Sequence, residues 1–273
     1  MCRSARLLAV SALAALIAVS ACQRREADAD AKQTGAQAAS AETPLTYESK
    51  TPFAEVKLTL PETIKDQPQL ASRLYREGVD ELTTFNEGAQ ADRTEFGGDG
   101  DLPPYAKEIT WEETAETDGL ISLARTDYDF TGGAHPNSLY GAMLWDKALA
   151  RPVRADTLFA PGADMARLDQ ALCTAINAAK KARDPAAPAI RLNGGDWSCP
   201  KAAATPFALA PSATPDKAGG LMFLIGPYMV GPYAEGPYRI VLPLSAFQTL
   251  LGPEYADQFA GQPTRVGDVT PQA

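Results

Sequence analysis

The chain's one histidine, His135, stands in the stretch Asp127-Tyr128-Asp129-Phe130-Thr131-Gly132-Gly133-Ala134-His135-Pro136-Asn137. An imidazole near neutral pH can take up a proton and return it. Asp127 or Asp129 could orient the ring, and the peptide N–H groups of Gly132 and Gly133 could hold an oxyanion. Together these parts sketch a hydrolase built on His135. The rest of such a machine is missing from the sequence. There is no Gly-x-Ser-x-Gly elbow, no nucleophilic cysteine and no paired-histidine metal motif, so the expectation is a non-catalytic chain with no metal and no cofactor. The plainer reading makes Gly132-Gly133 the turn of a hairpin that His135 braces through a local hydrogen bond.

A second stretch presents side chains rather than reactive groups. Between Met222 and Pro243 lie three Gly-Pro pairs, Gly226-Pro227, Gly231-Pro232 and Gly236-Pro237. Each proline fixes its own φ and keeps its predecessor out of the helical region, and each glycine tolerates angles other residues avoid, so the segment specifies a shaped loop. The loop carries Tyr228, Tyr233 and Glu235. Tyrosine offers apolar area, a polar tip and few rotamers, which suits a recognition surface. The candidate binding residues are therefore Tyr228, Tyr233 and Glu235, with His135 and Asn137 from the other stretch.

The elements that must position these residues follow from periodicity. Ala54, Val56, Leu58 and Leu60 alternate with polar residues as in a half-buried strand, and Pro61 stops it. Asp66 and Pro68 open a helix whose stripe is Leu70, Leu74, Val79, Leu82 and Phe85, ending by about Asn86-Glu87-Gly88. The acidic run Gly97-Gly98-Asp99-Gly100-Asp101 lacks the ligand spacing of a calcium loop and reads as a connector. Three strands then form a meander: one around Lys107 to Glu112, one from Leu120 to Phe130, and one from Ser138 to Trp145. Leu168, Leu172, Ala175, Ile176 and Ala179 mark a second helix, with Lys180, Lys181 and Arg183 at its negative end. Lys201 to Gly220 reads as irregular. Leu221 to Ile225 and Tyr238 to Leu244 read as strands flanking the shaped loop, Ser245 to Leu251 as a short final helix, and the chain from Gln258 as a disordered tail. Grouped strands without regular βαβ units predict an α+β fold: a largely antiparallel sheet packed by two main helices, in two sub-domains. The expected boundaries are 47–155 for the first and 156–255 for the second, with a tail over 256–273.

Compartment is legible at the N-terminus. Arg3 and Arg6 precede an apolar run from Leu7 to Val19, a signal-peptide pattern over residues 1–21; about 13 residues are too few to span a bilayer. Val19-Ser20-Ala21-Cys22 is similar to a bacterial lipobox, so Cys22 is the expected lipidation site, a membrane anchor in which acyl chains do the work of a transmembrane helix. Gln23, rather than Asp, after Cys22 resembles the export-permitted class of lipoproteins in Gram-negative bacteria, which in such a host implies an outer-membrane lipoprotein facing the periplasm. Residues 22–46 lack aromatic residues and apolar period up to Thr43 and read as a tether. With Cys2 removed and Cys22 lipidated, Cys173 and Cys199 remain to form one disulfide, which an oxidising compartment favours over a zinc site. The signal holds two of the 25 basic residues and none of the 34 acids, so the mature chain carries 23 − 34 = −11. Nucleic acid is an improbable partner for such a field, and a basic protein is a suitable one.

The turn Thr131-Gly132-Gly133-Ala134-His135, the later Asp156-Thr157-Leu158-Phe159, and Pro227-Tyr228 through Pro232-Tyr233-Ala234-Glu235-Gly236-Pro237 together resemble an extracytoplasmic family of formally unknown function. Its members include the outer domain of the lysozyme-sensing anti-sigma factor RsiV and the non-catalytic N-terminal part of some peptidoglycan deacetylases. The likeness covers roughly Tyr47 to Leu251. The chain departs from the pattern at Pro136, where a glycine is usual, and at Gly226, where an acidic residue is common. The resemblance implies a binding or sensing module for a lysozyme-like protein or peptidoglycan. An envelope hydrolase using His135 and a structural envelope lipoprotein are the alternatives.

Overall fold

The computed structural model describes residues 42–95 and 103–271. Cys22, the expected signal, most of the expected tether and the Gly97 to Asp101 run lie outside them. The described residues form one compact unit. Its elements are β1 (Thr46–Lys50), β2 (Ala54–Thr59), α1 (Pro68–Glu95), β3 (Tyr105–Glu116), β4 (Leu120–Phe130), β5 (Asn137–Asp146), β6 (Arg151–Val153), α2 (Ala166–Arg183), β7 (Phe207–Pro211), β8 (Ala218–Ile225), β9 (Tyr238–Pro243) and β10 (Gly267–Asp268), with short 3-10 turns between them. The first sheet runs in the order β1-β2-β3-β4-β5-β6 and the second in the order β10-β9-β8-β7. All pairings are antiparallel except β2 with β3, which are parallel because α1 crosses over between them. The fold is α+β in two sub-domains, each a sheet with one long helix.

Three apolar layers hold it. Leu70, Leu74 and Leu82 of α1 pack on Val56, Leu58, Ile109 and Leu123 of the first sheet. Leu168, Leu172 and Ile176 of α2 pack on Phe223, Ile225, Ile240 and Leu242 of the second. Between the sheets lie Ala124, Ala208, Ala210, Met222, Leu224 and Val241. All eight residues of β8 are buried, since one alternating set meets α2 and the other meets the first sheet, which is why its apolar run is unbroken.

Several expectations need correction. The first helix continues to Glu95, because Gly88 costs a helix only about 1 kcal/mol and Ala89 extends the buried stripe. Residues 207–211, expected to be irregular, form β7: Phe207 and Leu209 face the α2 core, and the small Ala208 and Ala210 let the two sheets approach. The expected helix from Ser245 to Leu251 is a pair of 3-10 turns. The chain from Gln258 is not a loose tail. The Gln258 Oε1 accepts hydrogen bonds from the Thr117 hydroxyl (2.7 Å) and the Gly119 N–H (2.8 Å), Phe259 is buried, and β10 pairs with β9.

The expected disulfide is present, with the Cys173 and Cys199 Cα atoms 5.2 Å apart. It pins the segment after α2 onto that helix, together with Asn177, whose side-chain amide bonds the backbone of Ile190 in both directions (2.9 and 2.8 Å).

Candidate functional site

The β4–β5 hairpin ends in a turn whose Gly132 and Gly133 have φ of +92° and +100°, angles that favour glycine. That turn holds His135 out at the surface. The β8–β9 loop arrives at the same place, because its first residue, Gly226, lies close on β5: a Cβ there would stand 3.4 Å from the Tyr140 ring and 3.5 Å from the Ser138 carbonyl. An acidic residue at 226 would press on that strand.

Three rings from the two segments meet. The His135 imidazole stacks on Tyr233, centroids 3.9 Å apart and planes 17° from parallel. Tyr228 lies 5.5 Å from Tyr233 and 6.1 Å from His135, tilted to both. The His135 Nδ1 is 2.8 Å from the Pro136 carbonyl and Nε2 is 3.1 Å from the Tyr228 hydroxyl. A carbonyl only accepts, so Nδ1 carries a proton, and in the neutral ring Nε2 accepts from the phenol. Tyr228 is 49% exposed, and Met229 beside it and Tyr128 on β4 add exposed apolar surface. The two stretches singled out in the sequence thus form one surface.

The carboxylates proposed to orient His135 are engaged elsewhere or unconnected to it. Successive residues of a strand point to opposite faces, and Asp127 points toward α1. Its Oδ1 accepts from Arg125 Nε at 2.6 Å, and Arg125 also donates to Glu81 of α1 at 2.6 Å, with Lys107 3.2 Å from the same carboxylate. Burial would raise the Glu81 carboxyl, but Arg125 and Lys107 outweigh it and hold it below its usual value. No described hydrogen bond joins Asp129 to His135; it sits opposite Asn137 in the β4–β5 ladder, and Asn137 is exposed beside the turn. The imidazole is thus hydrogen-bonded to the Tyr228 hydroxyl, and no carboxylate is seen to bond it. Among the described residues no cluster of His, Cys, Asp and Glu could hold a metal ion, and no helix is long and apolar enough to cross a membrane.

Glu235 also has a different place from the one expected of a binding residue. Its carboxylate accepts from the Lys180 ammonium of α2 at 2.9 and 2.6 Å and from the Tyr238 hydroxyl at 2.9 Å. Lys180 is 2% exposed and gives its remaining bond to the Val230 carbonyl at 2.7 Å. Such a buried ammonium needs a counterion, and Glu235 supplies it. Burial first, and the bond to Glu235 second, raise the Tyr238 phenol far above its usual value. Lys180 was missed as a site residue, although the signal was present: Leu172, Ile176 and Lys180 recur at intervals of four, which puts the ammonium on the buried stripe of α2.

A third polar group lies behind the rings. Burial raises the Tyr140 phenol, against the pull of the nearby Arg239, which is itself paired with Glu112. This cluster lies between the sheets, next to Tyr233 and Ser138.

Residues 47–138 match a family model described as Deacetylase PdaC, a span that includes the His135 turn. The chain is similar in structure to a member of the DUF3298 family from Bacteroides fragilis, with a TM-score of 0.52 at 17% identity, over 78% of this chain and 94% of that one. A DUF3298 family protein from Pseudomonas aeruginosa PAO1 aligns with a TM-score of 0.48 at 18% identity, over 81% and 99%. No curated protein matches. The N-terminal region is thus PdaC-like in sequence, and the chain has the fold of the Bacteroides DUF3298 protein.

Proposed function

We propose that this chain is a non-catalytic recognition module of the cell envelope, held on the outer membrane by lipid at Cys22, that binds a lysozyme-like protein or peptidoglycan through the surface formed by His135, Tyr228 and Tyr233. One observation carries the reading: two segments some 90 residues apart, each singled out for its turn chemistry, bring three rings into contact at the surface. Exposed tyrosine faces suit a basic protein in two ways. They can receive lysine or arginine side chains by cation–π contact, for about 0.5 to 2 kcal/mol each, and the acidic field of the chain raises the rate of encounter. They also offer flat apolar faces to a glycan.

The test is direct. The chain is immobilised and presented at low salt with a basic lysozyme and, separately, with purified cell wall. Retention of either supports the reading and identifies the partner class, and retention of neither sinks it. Substituting Tyr228 and Tyr233 together by alanine should abolish retention while the protein stays folded. Fractionation of cells tests the anchor, since recovery in the inner membrane contradicts the outer-membrane assignment.

A further inference from the structure

The β8–β9 loop contains few apolar anchors of its own, yet it has one defined course. Tyr228 and Met229 are exposed, Tyr233 is half-buried, and of residues 227–237 only Val230 and Gly231 are buried. What fixes the loop comes from α2. The Lys180 ammonium reaches it from below and spends its three donors on the Val230 carbonyl and both Glu235 oxygens. One turn further along α2, Arg183 donates to the Glu235 carbonyl at 2.9 Å, and its guanidinium lies 3.7 Å from the Tyr238 ring centroid. The loop has been shaped around this pair: a Cβ on Gly231 would stand 2.3 Å from the Glu235 carboxylate. Val230 and Glu235 lie on either side of Tyr233, so one ammonium ties down both ends of the segment that stacks on His135.

We infer that the Lys180–Glu235 ion pair is a latch that sets the conformation of the recognition loop, which makes Lys180 and Glu235 positioning residues of the ring cluster without touching a ligand. The inference takes the ring cluster as the functional surface from the proposed function, but its geometric content stands without any ligand. A buried ammonium with all three donors engaged is directional where apolar packing is not, and it fixes one register of the backbone it binds. Leu172 and Ile176 continue to fill the core without the latch, so the sheets do not depend on it as the loop does.

The test uses the full-length protein in detergent and two variants that break the latch differently. K180M/E235L replaces both charges by apolar groups of similar size, which leaves no unpaired buried charge. G231A keeps both charges and pushes the carboxylate off the ammonium; a cavity of about 320 Å³ beside Lys180, Arg183 and Tyr238 can receive it. The readouts are the ring-current shift that Tyr233 imposes on the His135 protons and the amide exchange of residues 228–235. We expect the shift to disappear and loop exchange to quicken by about tenfold or more, while exchange in β3, β4 and β8 is unchanged. Binding to whichever of lysozyme or cell wall the wild type retains should fall by a similar factor. Wild-type stacking and loop protection in G231A, or in a folded K180M/E235L, overturns the latch. If K180M/E235L does not fold, G231A decides alone. A wild type that binds neither partner refutes the functional reading and leaves the latch to be judged on exchange and shift.

Discussion

The two loops that meet at His135 are built in opposite ways. The β4–β5 turn is local: Gly132 and Gly133 take positive φ, nothing stands where their Cβ atoms would be, and a hydrogen bond from His135 to its neighbour's carbonyl completes it. The β8–β9 loop is non-local. Its course depends on an ammonium about 50 residues earlier in the chain and on a helix that is itself tied by a disulfide. Turn chemistry can be read from neighbouring residues. A brace supplied by another element leaves its mark elsewhere, here in the spacing of Lys180 on α2. The difference predicts that damage to the two loops differs in size and in kind.

The largest effect belongs to the brace. Removing the carboxylate in E235A leaves the Lys180 ammonium, 2% exposed, without its counterion, and stranding such a buried charge costs about 3 to 5 kcal/mol. Urea unfolding should show this as a lowered midpoint with little change in slope. An equal loss from an alanine in the β4–β5 turn would erase the distinction. Alkali attacks the same brace without mutation. The folded pKa of Tyr238 lies above its ordinary value of 10, so its bond to Glu235 is intact below pH 10 and its stabilisation is lost as pH rises through the folded value. In a phenolate absorbance titration Tyr238 should ionise late, together with unfolding and alongside the other raised phenols Tyr140 and Tyr255, and Y238F should take one phenol out of that step.

Next in size is the disulfide. Cys173 and Cys199 are 26 residues apart, and by loop entropy the bond contributes roughly 3 to 4 kcal/mol. In C173S/C199S the segment after α2 should loosen first and the β8–β9 loop should exchange faster with it, since Lys180 rides on the same helix. The β4–β5 turn should not respond. Protection factors that fall equally in both loops would show that α2 braces the whole domain rather than one loop.

A smaller effect is expected where the brace is only local. G133A forces a side chain into a φ of +100°, at a cost of about 1 to 3 kcal/mol. The cost stays in the turn, so exchange should change there and leave Val230 to Glu235 as they are. If the β8–β9 loop loosens as well, the His135 stack supports that loop from outside.

The same contrast explains what the sequence disclosed. The meander, both long helices and the disulfide announce themselves by period, by turn residues or by elimination, all of which are local or countable. The strand at 207–211 did not, because its alanines are small for a reason visible only when the other sheet is in place. Gln258 looked like the start of a tail because nothing nearby explains it, and its partners are Thr117 and Gly119. At the site, the rings were legible as surface candidates from the Gly-Pro pairs and the glycine turn. The role of Glu235 was not, since a carboxylate in a loop looks the same in sequence whether it faces solvent or a buried lysine. Asp127 misled for the matching reason: its distance from His135 in sequence suits a hydrogen bond, but the alternation of β4 turns it toward Arg125 and Glu81.

The smallest effect on stability is also the most diagnostic of function. Tyr228 has φ of +67°, one of three non-glycine residues in that region among those described, and asparagine accepts such angles more readily than tyrosine. Strain of this kind costs on the order of 1 kcal/mol or more and persists where surrounding structure or use demands it. A tyrosine kept there for packing should be buried, and this one is 49% exposed. Y228N relieves the backbone and gives up the hydroxyl bond to His135 and part of the ring contacts, terms of similar size, so stability should move by less than about 1 kcal/mol. Binding should still fall by about tenfold or more, because an exposed ring that contributes little to the fold contributes to the interface. A variant that binds as well as the wild type would place recognition elsewhere. One that loses several kcal/mol would make Tyr228 part of the brace and remove the contrast between the two loops.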